Sequence, residues 1–233
     1  MGQHWDTTLV ITSCRRFDLL EKTLASMQPW IGNFSHRIIV EDSDQRPHFF
    51  NELESDGFTI LINGSSLGQH QSIDNAYRKV NTEFIFHCED DREFLEKPSF
   101  CGAKHILKHG IDEHTKLSVI SFRDSTRNEP NDQDAYREFE LMGRWYRYSL
   151  RQKSKYNSFT FNPSVLRRDL YKMLGSYSDF LTEGSIARYL QQRGYVIVTQ
   201  VPGVVRHIGD ERGIARGRFS WGSRLSQWFR KGV

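Results

Sequence analysis

The sequence predicts an α/β domain, a mostly parallel sheet flanked by helices, followed by a basic helical tail. Three observations carry that expectation. Short β-branched or apolar runs alternate with amphipathic stretches at helical spacing through the first half of the chain, the pattern of strand–helix–strand units. One of these runs, Phe84-Ile85-Phe86-His87-Cys88, is apolar almost throughout, as a strand covered on both faces must be. It ends on three consecutive acids, Glu89-Asp90-Asp91, and in open α/β sheets ligands bind beyond the carboxyl ends of the strands.

Each element has a local reason. Thr8-Leu9-Val10-Ile11-Thr12 is β-branched and predicts the first strand. The chain breaks at Ser13-Cys14-Arg15-Arg16 into a helix carrying Phe17, Leu20, Leu24 and Met27 on one face. Arg37-Ile38-Ile39-Val40 predicts the second strand, ending on Glu41-Asp42-Ser43-Asp44. Phe58-Thr59-Ile60-Leu61-Ile62 predicts the third, closed by Asn63-Gly64. Leu67-Gly68-Gln69 then leads into a short helix with Ile73, Ala76, Tyr77 and Val80 at helical spacing. A helix is expected after Pro98 and a strand over Leu117–Phe122. Residues 123–155 are polar, charged and aromatic without clean periodicity, which predicts a long loop or a short irregular insertion. Asn162 as cap, with Pro163 at the first helical position, predicts a helix carrying Leu166, Leu170, Met173 and Leu174. A helix over residues 184–193 and a strand over Tyr195–Val201 complete the pattern.

Length and composition set the frame. The 233 residues divide into one domain, 1–211, and a tail, 212–233. A net charge of +3 is close to neutral for this size and gives no sign of a nucleic-acid partner. Cys14, Cys88 and Cys101 are few, odd in number and without CxxC spacing, which predicts a reducing compartment and ordinary core roles. His105 and His109, with His114 nearby, lack a further ligand for zinc and read as surface histidines. No apolar run has bilayer-spanning length, and the N-terminus lacks the hydrophobic core of a signal peptide. The expectation is a cytoplasmic protein, soluble or peripheral at the inner face of the membrane.

The chemistry is concentrated at one sheet edge. Side chains alternate along a strand, so Glu89 and Asp91 share one face and Asp90 takes the other. Three adjacent carboxylates repel one another, and a divalent cation relieves that repulsion. The same edge receives Ser13 to Arg16, Glu41-Asp42, and Gln69 to Asp74. An acid after an early strand accepts from a base imide or a ribose hydroxyl, and a neighbouring Arg stacks on a base or neutralises phosphate. Taken singly, an acid after a strand is a turn or helix-cap residue. Together the four segments describe a nucleotide-diphosphate site with a metal on its phosphates.

These segments resemble the GT-A-fold glycosyltransferases, in particular their family-2-like group. The resemblance lies in Thr12-Ser13-Cys14-Arg15-Arg16-Phe17, Val40-Glu41-Asp42-Ser43, Gly68-Gln69 with Ser72-Ile73-Asp74-Asn75-Ala76, and Phe86-His87-Cys88-Glu89-Asp90-Asp91. Phe161-Asn162-Pro163-Ser164, Glu183 and Val204-Val205-Arg206-His207-Ile208-Gly209 are similar too, so it covers residues 7–209. It implies a GT-A, Rossmann-like catalytic domain acting on a nucleotide-diphosphate sugar. Asp91 would then ligate Mn²⁺ or Mg²⁺, with His207 completing the metal site. Thr12, Arg15, Glu41, Asp42, Gln69, Asp74, Glu89 and Asp90 would hold the donor nucleotide. Glu183, or Asp179 near it, would be the base that deprotonates the acceptor, with inversion at the transferred sugar. The acceptor implied is a glycan or glycolipid, as in polysaccharide biosynthesis. The triplet departs from the family in beginning with Glu, and Gly184 follows Glu183 where many members have a second acid. The Gln-x-x-Arg-Trp element of processive synthases is absent, because Leu141 stands three residues before Arg144-Trp145. Transfer of a single sugar is therefore expected.

A sugar nucleotidyltransferase would also need a metal and a nucleotide site, but its Gly-rich, basic phosphate loop after the first strand is missing. A nucleic-acid-binding module would rely on the tail alone. That tail holds Arg212, Arg216, Arg218, Arg224, Arg230 and Lys231 with no acid after Glu211, and Trp221, Leu225, Trp228 and Phe229 share one helical face. Such a segment suits an anionic membrane surface; a helix docked on the domain and a linker to a partner are the alternatives.

Overall fold

The computed structural model describes residues 5–124, 136–150 and 158–209. The tail and its expected amphipathic helix lie outside the described residues. The four strands expected in the first half, and the helices expected after the first strand and after Gly68, form as the periodicity predicts; the helix between the second and third strands is not among the expectations. Strand β1 (Trp5–Ser13) leads through helix α1 (Phe17–Met27) to β2 (Phe34–Glu41), and α2 (Phe49–Ser55) leads to β3 (Thr59–Ile62). Helix α3 (Gln69–Tyr77) returns the chain to β4 (Phe84–Glu89). The short β5 (Arg92–Phe94), α4 (Phe100–His109) and β6 (Lys116–Ser121) follow. The second half adds β7 (Tyr136–Leu141), β8 (Arg144–Ser149), β9 (Ser164–Arg167), α5 (Arg168–Leu174), α6 (Glu183–Gln191), β10 (Tyr195–Val201) and β11 (Val205–His207).

One nine-stranded sheet, in the order β3-β2-β1-β4-β9-β6-β10-β8-β7, runs through the molecule. The β3-β2-β1-β4 segment is parallel throughout, as is the β6–β10 pair. Alternation along each central strand feeds two separate cores. Leu9 and Ile11 of β1 face one side, with Leu20 and Met27 of α1, Phe50 of α2, and Phe100 and Ile106 of α4. Val10 faces the other, with Ile73 and Tyr77 of α3, Leu170 of α5, and Ile186 and Leu190 of α6. This is a three-layer α/β/α arrangement, and it explains why the central strands are apolar on both faces. Among the described residues no helix is long and apolar enough to cross a membrane. Cys88 is buried in its strand as expected, whereas Cys101 is exposed on α4.

Two expectations are corrected. Residues 123–155 are not simply a loop: β7 and β8 form an antiparallel hairpin that extends the sheet beyond β10. Met142 and Gly143 make its turn with φ of 52° and 73°, the positive values a two-residue hairpin requires. Only one side of this hairpin is well buried, through Tyr146, so charged residues break the apolar alternation. The second correction concerns Ser164 to Arg167. They form an antiparallel strand between β4 and β6, and helix α5 begins only at Arg168. Val165 enters one core and Leu166 the other. Filling the middle of the sheet outweighs the local helix-start cue of Asn162-Pro163. Met173, expected on the apolar helix face, is 44% exposed.

Candidate active site

The strand order reverses between β1 and β4, since β2 and β3 lie on one side of β1 and β4 on the other. A crevice opens at such a switch point, at the carboxyl ends of the strands. The turn after β1 and the acids after β4 meet there. Arg15 takes a left-handed conformation, φ 58°. Its N–H donates to Glu41 Oε1 at 3.0 Å, and its exposed guanidinium reaches Asp44 at 3.2 Å. That turn aims the next residue inward. Arg16 forks onto Asp90 through Nη2 and Nε, and its Nη1 donates to Asp91 Oδ2 at 2.6 Å. The Cys14 N–H donates to Asp90 at 3.2 Å. Thr23 of α1 clamps the backbone, donating to the Asp90 carbonyl at 2.8 Å and accepting from the Arg92 N–H at 3.0 Å.

Arg92 closes the other side. It pairs with Glu89, and its Nε lies 3.2 Å from Asp91 Oδ1. That last contact is misaligned, so both atoms are buried without a hydrogen-bond partner. The two guanidiniums therefore face three carboxyl groups. Strand β11 pairs with β5 so that His207 stands opposite Arg92, and His207 Nε2 comes within 3.0 Å of Asp91 Oδ2. The Ile208 N–H donates to the Asp91 carbonyl at 2.9 Å. Gly209 approaches so closely that a Cβ there would sit 2.6 Å from Asp91 Oδ2. Burial is the largest influence on both central acids. It pushes Asp90 up to about 7 despite Arg16. At Asp91 burial is outweighed by Arg92, Arg16 and His207, which hold the carboxyl below its ordinary value.

Helices α3 and α6 bring further polar groups. Gln69, first residue of α3, donates to Glu89 Oε1 at 3.0 Å. Glu183 opens α6, where Thr182 and Ser185 form a capping box. Its Oε1 accepts from the Phe161 N–H at 3.1 Å. Burial raises the Glu183 carboxyl above its usual range; hydrogen bonds from Phe161 and Thr160 oppose the shift and the Glu89 charge adds to it.

The sequence-predicted residues divide accordingly. Thr12 lies beside Glu89 in the β1–β4 register, and Asp90, Asp91, Glu89, Gln69 and His207 converge as described. Glu41 is fully buried; Oε1 accepts from Arg15 N–H and Ser43 Oγ, while Oε2 has no partner. Asp42 spends both oxygens on the loop before α3, accepting from Asn63, Ser66, and the N–H groups of Leu67 and Gly68 at 2.7–3.2 Å. Through that loop it positions Gln69. Asp74, expected on the nucleoside, is turned to another task. Its buried carboxylate accepts from Tyr171 Oη, Ser176 Oγ, and the N–H groups of Tyr177 and Ser178. Asp179 is exposed in the turn Tyr177–Asp179, whereas Glu183 is the more enclosed acid. Arg16 and Arg92 join the site without a sequence signal of their own. A pair of adjacent arginines gives no local sign of which one turns inward.

The donor set fits a divalent cation. Asp91 Oδ1 is a buried oxygen without a hydrogen bond, and His207 brings an imidazole nitrogen to the other oxygen of the same carboxylate, Oδ2. Among the described residues no group of three or more His, Cys, Asp or Glu side chains gathers round one point. A cation here would thus draw its remaining ligands from phosphate oxygens and water, as ions of the Mg²⁺ class do.

No protein-family model and no curated protein sequence matches the chain. Solved structures do. The mannosyltransferase PcManGT from Pyrobaculum calidifontis, in complex with GDP-Man and Mn²⁺, matches with a TM-score of 0.64 and 15% identity, over 99% of this chain and 66% of its own. GalNAc-T7 with UDP, GalNAc and Mn²⁺ matches with a TM-score of 0.56 and 14% identity, over 86% of this chain and 43% of its own. A fragment of TarS from S. aureus matches with a TM-score of 0.53 and 13% identity, over 83% and 57%. The chain thus spans between 43% and 66% of the length of these proteins. The α/β/α architecture built around the β1–β4 crevice is the GT-A fold of nucleotide-sugar glycosyltransferases.

Proposed function

We propose that the chain transfers a single sugar from a nucleotide-diphosphate sugar to a hydroxyl of a glycan or glycolipid, with inversion and with a divalent metal. The observation that carries this reading is the pairing of Asp91 with His207 at the switch point, with the enclosed Glu183 near enough to feel the charge of Glu89. The unpartnered Glu41 Oε2 is suited to accept from a base imide. Gln69 and Glu89 form a polar pair for the ribose or the transferred sugar. Asp91 and His207 would hold Mn²⁺ or Mg²⁺, which supplies charge neutralisation on the departing diphosphate. Arg16 and Arg92 keep the acidic triplet from repelling the donor's phosphates. Glu183, whose raised pKa makes it a better proton acceptor, takes the proton of the attacking hydroxyl. Base assistance of this kind is worth about 10²–10⁴-fold. Asp179 is the more exposed of the two acids and is the alternative base.

The test is a thermal shift against a panel of nucleoside diphosphates with and without Mn²⁺, followed by nucleoside diphosphate release from the matching sugar nucleotides. A ligand that binds only the native state raises its apparent stability by mass action. Metal-dependent stabilisation by one nucleotide supports the reading and names the base. No stabilisation and no release across the panel would overturn it.

A further inference from the structure

We propose that His70 is an acceptor-positioning residue: its Nε2 accepts a hydrogen bond from an acceptor-sugar hydroxyl neighbouring the one that Glu183 deprotonates. The proposal rests on the glycosyl-transfer reading above and adds a residue to it. His70 is the second residue of α3, directly after the Gln69 that reaches Glu89. Its Nδ1 lies 2.9 Å from the carbonyl oxygen of Phe180. A carbonyl only accepts, so Nδ1 carries the proton, and in the neutral ring Nε2 is left with the lone pair. The bond fixes the tautomer and presents an acceptor nitrogen.

Its surroundings tie the ring to the residue that holds Glu183. The imidazole packs on Phe161 with ring centroids 5.4 Å apart, and the Phe161 N–H is the group that holds Glu183. Imidazole and carboxylate are thus anchored on the same residue. Glu183 also feels the charge of Glu89, the carboxylate that Gln69 reaches. His70 is half-buried, and among the described residues its hydrogen bond is the one through Nδ1. A purely structural tie to Phe180 needs one N–H donor. The ring supplies a second nitrogen, and a polyhydroxylated acceptor is the ligand whose chemistry uses it.

Two substitutions separate these roles. In His70→Asn the side-chain amide stands at the Nδ1 position, keeping a donor for Phe180 while removing Nε2. In His70→Gln the amide reaches toward the Nε2 position. The assay measures sugar transfer to a panel of methyl glycosides, alongside the thermal shift given by the nucleoside diphosphate and Mn²⁺. The expected result for His70→Asn is an acceptor KM raised about tenfold, the scale of one lost hydrogen bond, with the nucleotide shift retained. His70→Gln should recover part of that loss. Wild-type acceptor KM in His70→Asn would overturn the proposal, because the Phe180 tie would then suffice. Loss of the nucleotide shift together with transfer would also overturn it, moving His70 to the donor site or the scaffold. A wild-type protein that turns over no donor in the panel defeats the glycosyl-transfer reading itself, and this proposal with it.

Discussion

Removing the Asp74 carboxylate tests whether this acid binds donor or builds the scaffold. It accepts four hydrogen bonds, one from Tyr171 of α5 and three from the segment between α5 and α6. In Asp74→Ala the Tyr171 hydroxyl and the Tyr177 N–H, both buried bonds, lose their acceptor. The Ser176 hydroxyl and Ser178 N–H are nearer solvent and can find water. Each buried donor left unpaired costs about 1–3 kcal/mol, so the pair should cost about 4 kcal/mol. For a domain of this size that lowers Tm by about 8–16 °C. Asp74→Asn keeps an oxygen for Tyr171 and Tyr177 but turns an amide toward Ser178, and should cost about 1–2 kcal/mol. The sign of the pH dependence follows from the depressed pKa. Burial opposes the Asp74 charge, but the bonds from Ser176, Ser178 and Tyr177 outweigh it and hold the carboxyl below its ordinary 3.8. Its contribution is therefore complete above that value and lost as pH falls below it. The stability gap between wild type and Asp74→Ala should narrow in acid. Urea melts at pH 7 and at progressively lower pH measure it. An unchanged Tm in Asp74→Ala with loss of nucleotide binding would refute this reasoning and return Asp74 to the donor site.

Asp91→Asn keeps the shape of the side chain, should cost about 1–3 kcal/mol through its weakened bonds to Arg16 and His207, and should abolish the Mn²⁺-dependent part of the nucleotide thermal shift; retention of that part would move the metal elsewhere. Glu183→Gln should lower kcat by roughly 10²-fold or more with donor affinity preserved, and an equal loss of donor affinity would deny it the base role. Because Glu183 must be ionised to act and its pKa is raised, wild-type kcat/KM should fall as pH drops through a value above the ordinary 4.5. Glu89→Gln removes one raising charge and should move that limb to lower pH, which a pH–rate profile detects. For the tail, we propose an anionic membrane surface. Removing residues from Arg216 onward should abolish co-sedimentation with anionic vesicles, each base near the surface contributing about 1 kcal/mol, and binding of the full chain should weaken with salt. Indifference of the intact chain to such vesicles would exclude that role.

Local pattern alone determined the first half of the fold. A strand buried on both faces must be apolar, and helices covering it must show a 3.6-residue stripe, so β1 through β4 with α1 and α3 are legible without any partner. The acids at strand ends are legible for the same reason, since a polar run can follow a buried strand only where the sheet stops. The order of the strands, and hence the crevice between β1 and β4, is a property of the assembled sheet. So is the strand at Ser164–Arg167, whose helix-start signal yields to the slot between β4 and β6. Side-chain roles at the site depend most on tertiary structure. Which of Arg15 and Arg16 turns inward is decided by Asp90 and Asp91, some 75 residues away. Asp74 is claimed by Ser176 to Ser178, about 100 residues further on. A carboxylate's hydrogen bonds are short-ranged in space but indifferent to chain distance, so its chemical type can be read from sequence while its partners, and therefore its task, come only with the packed fold.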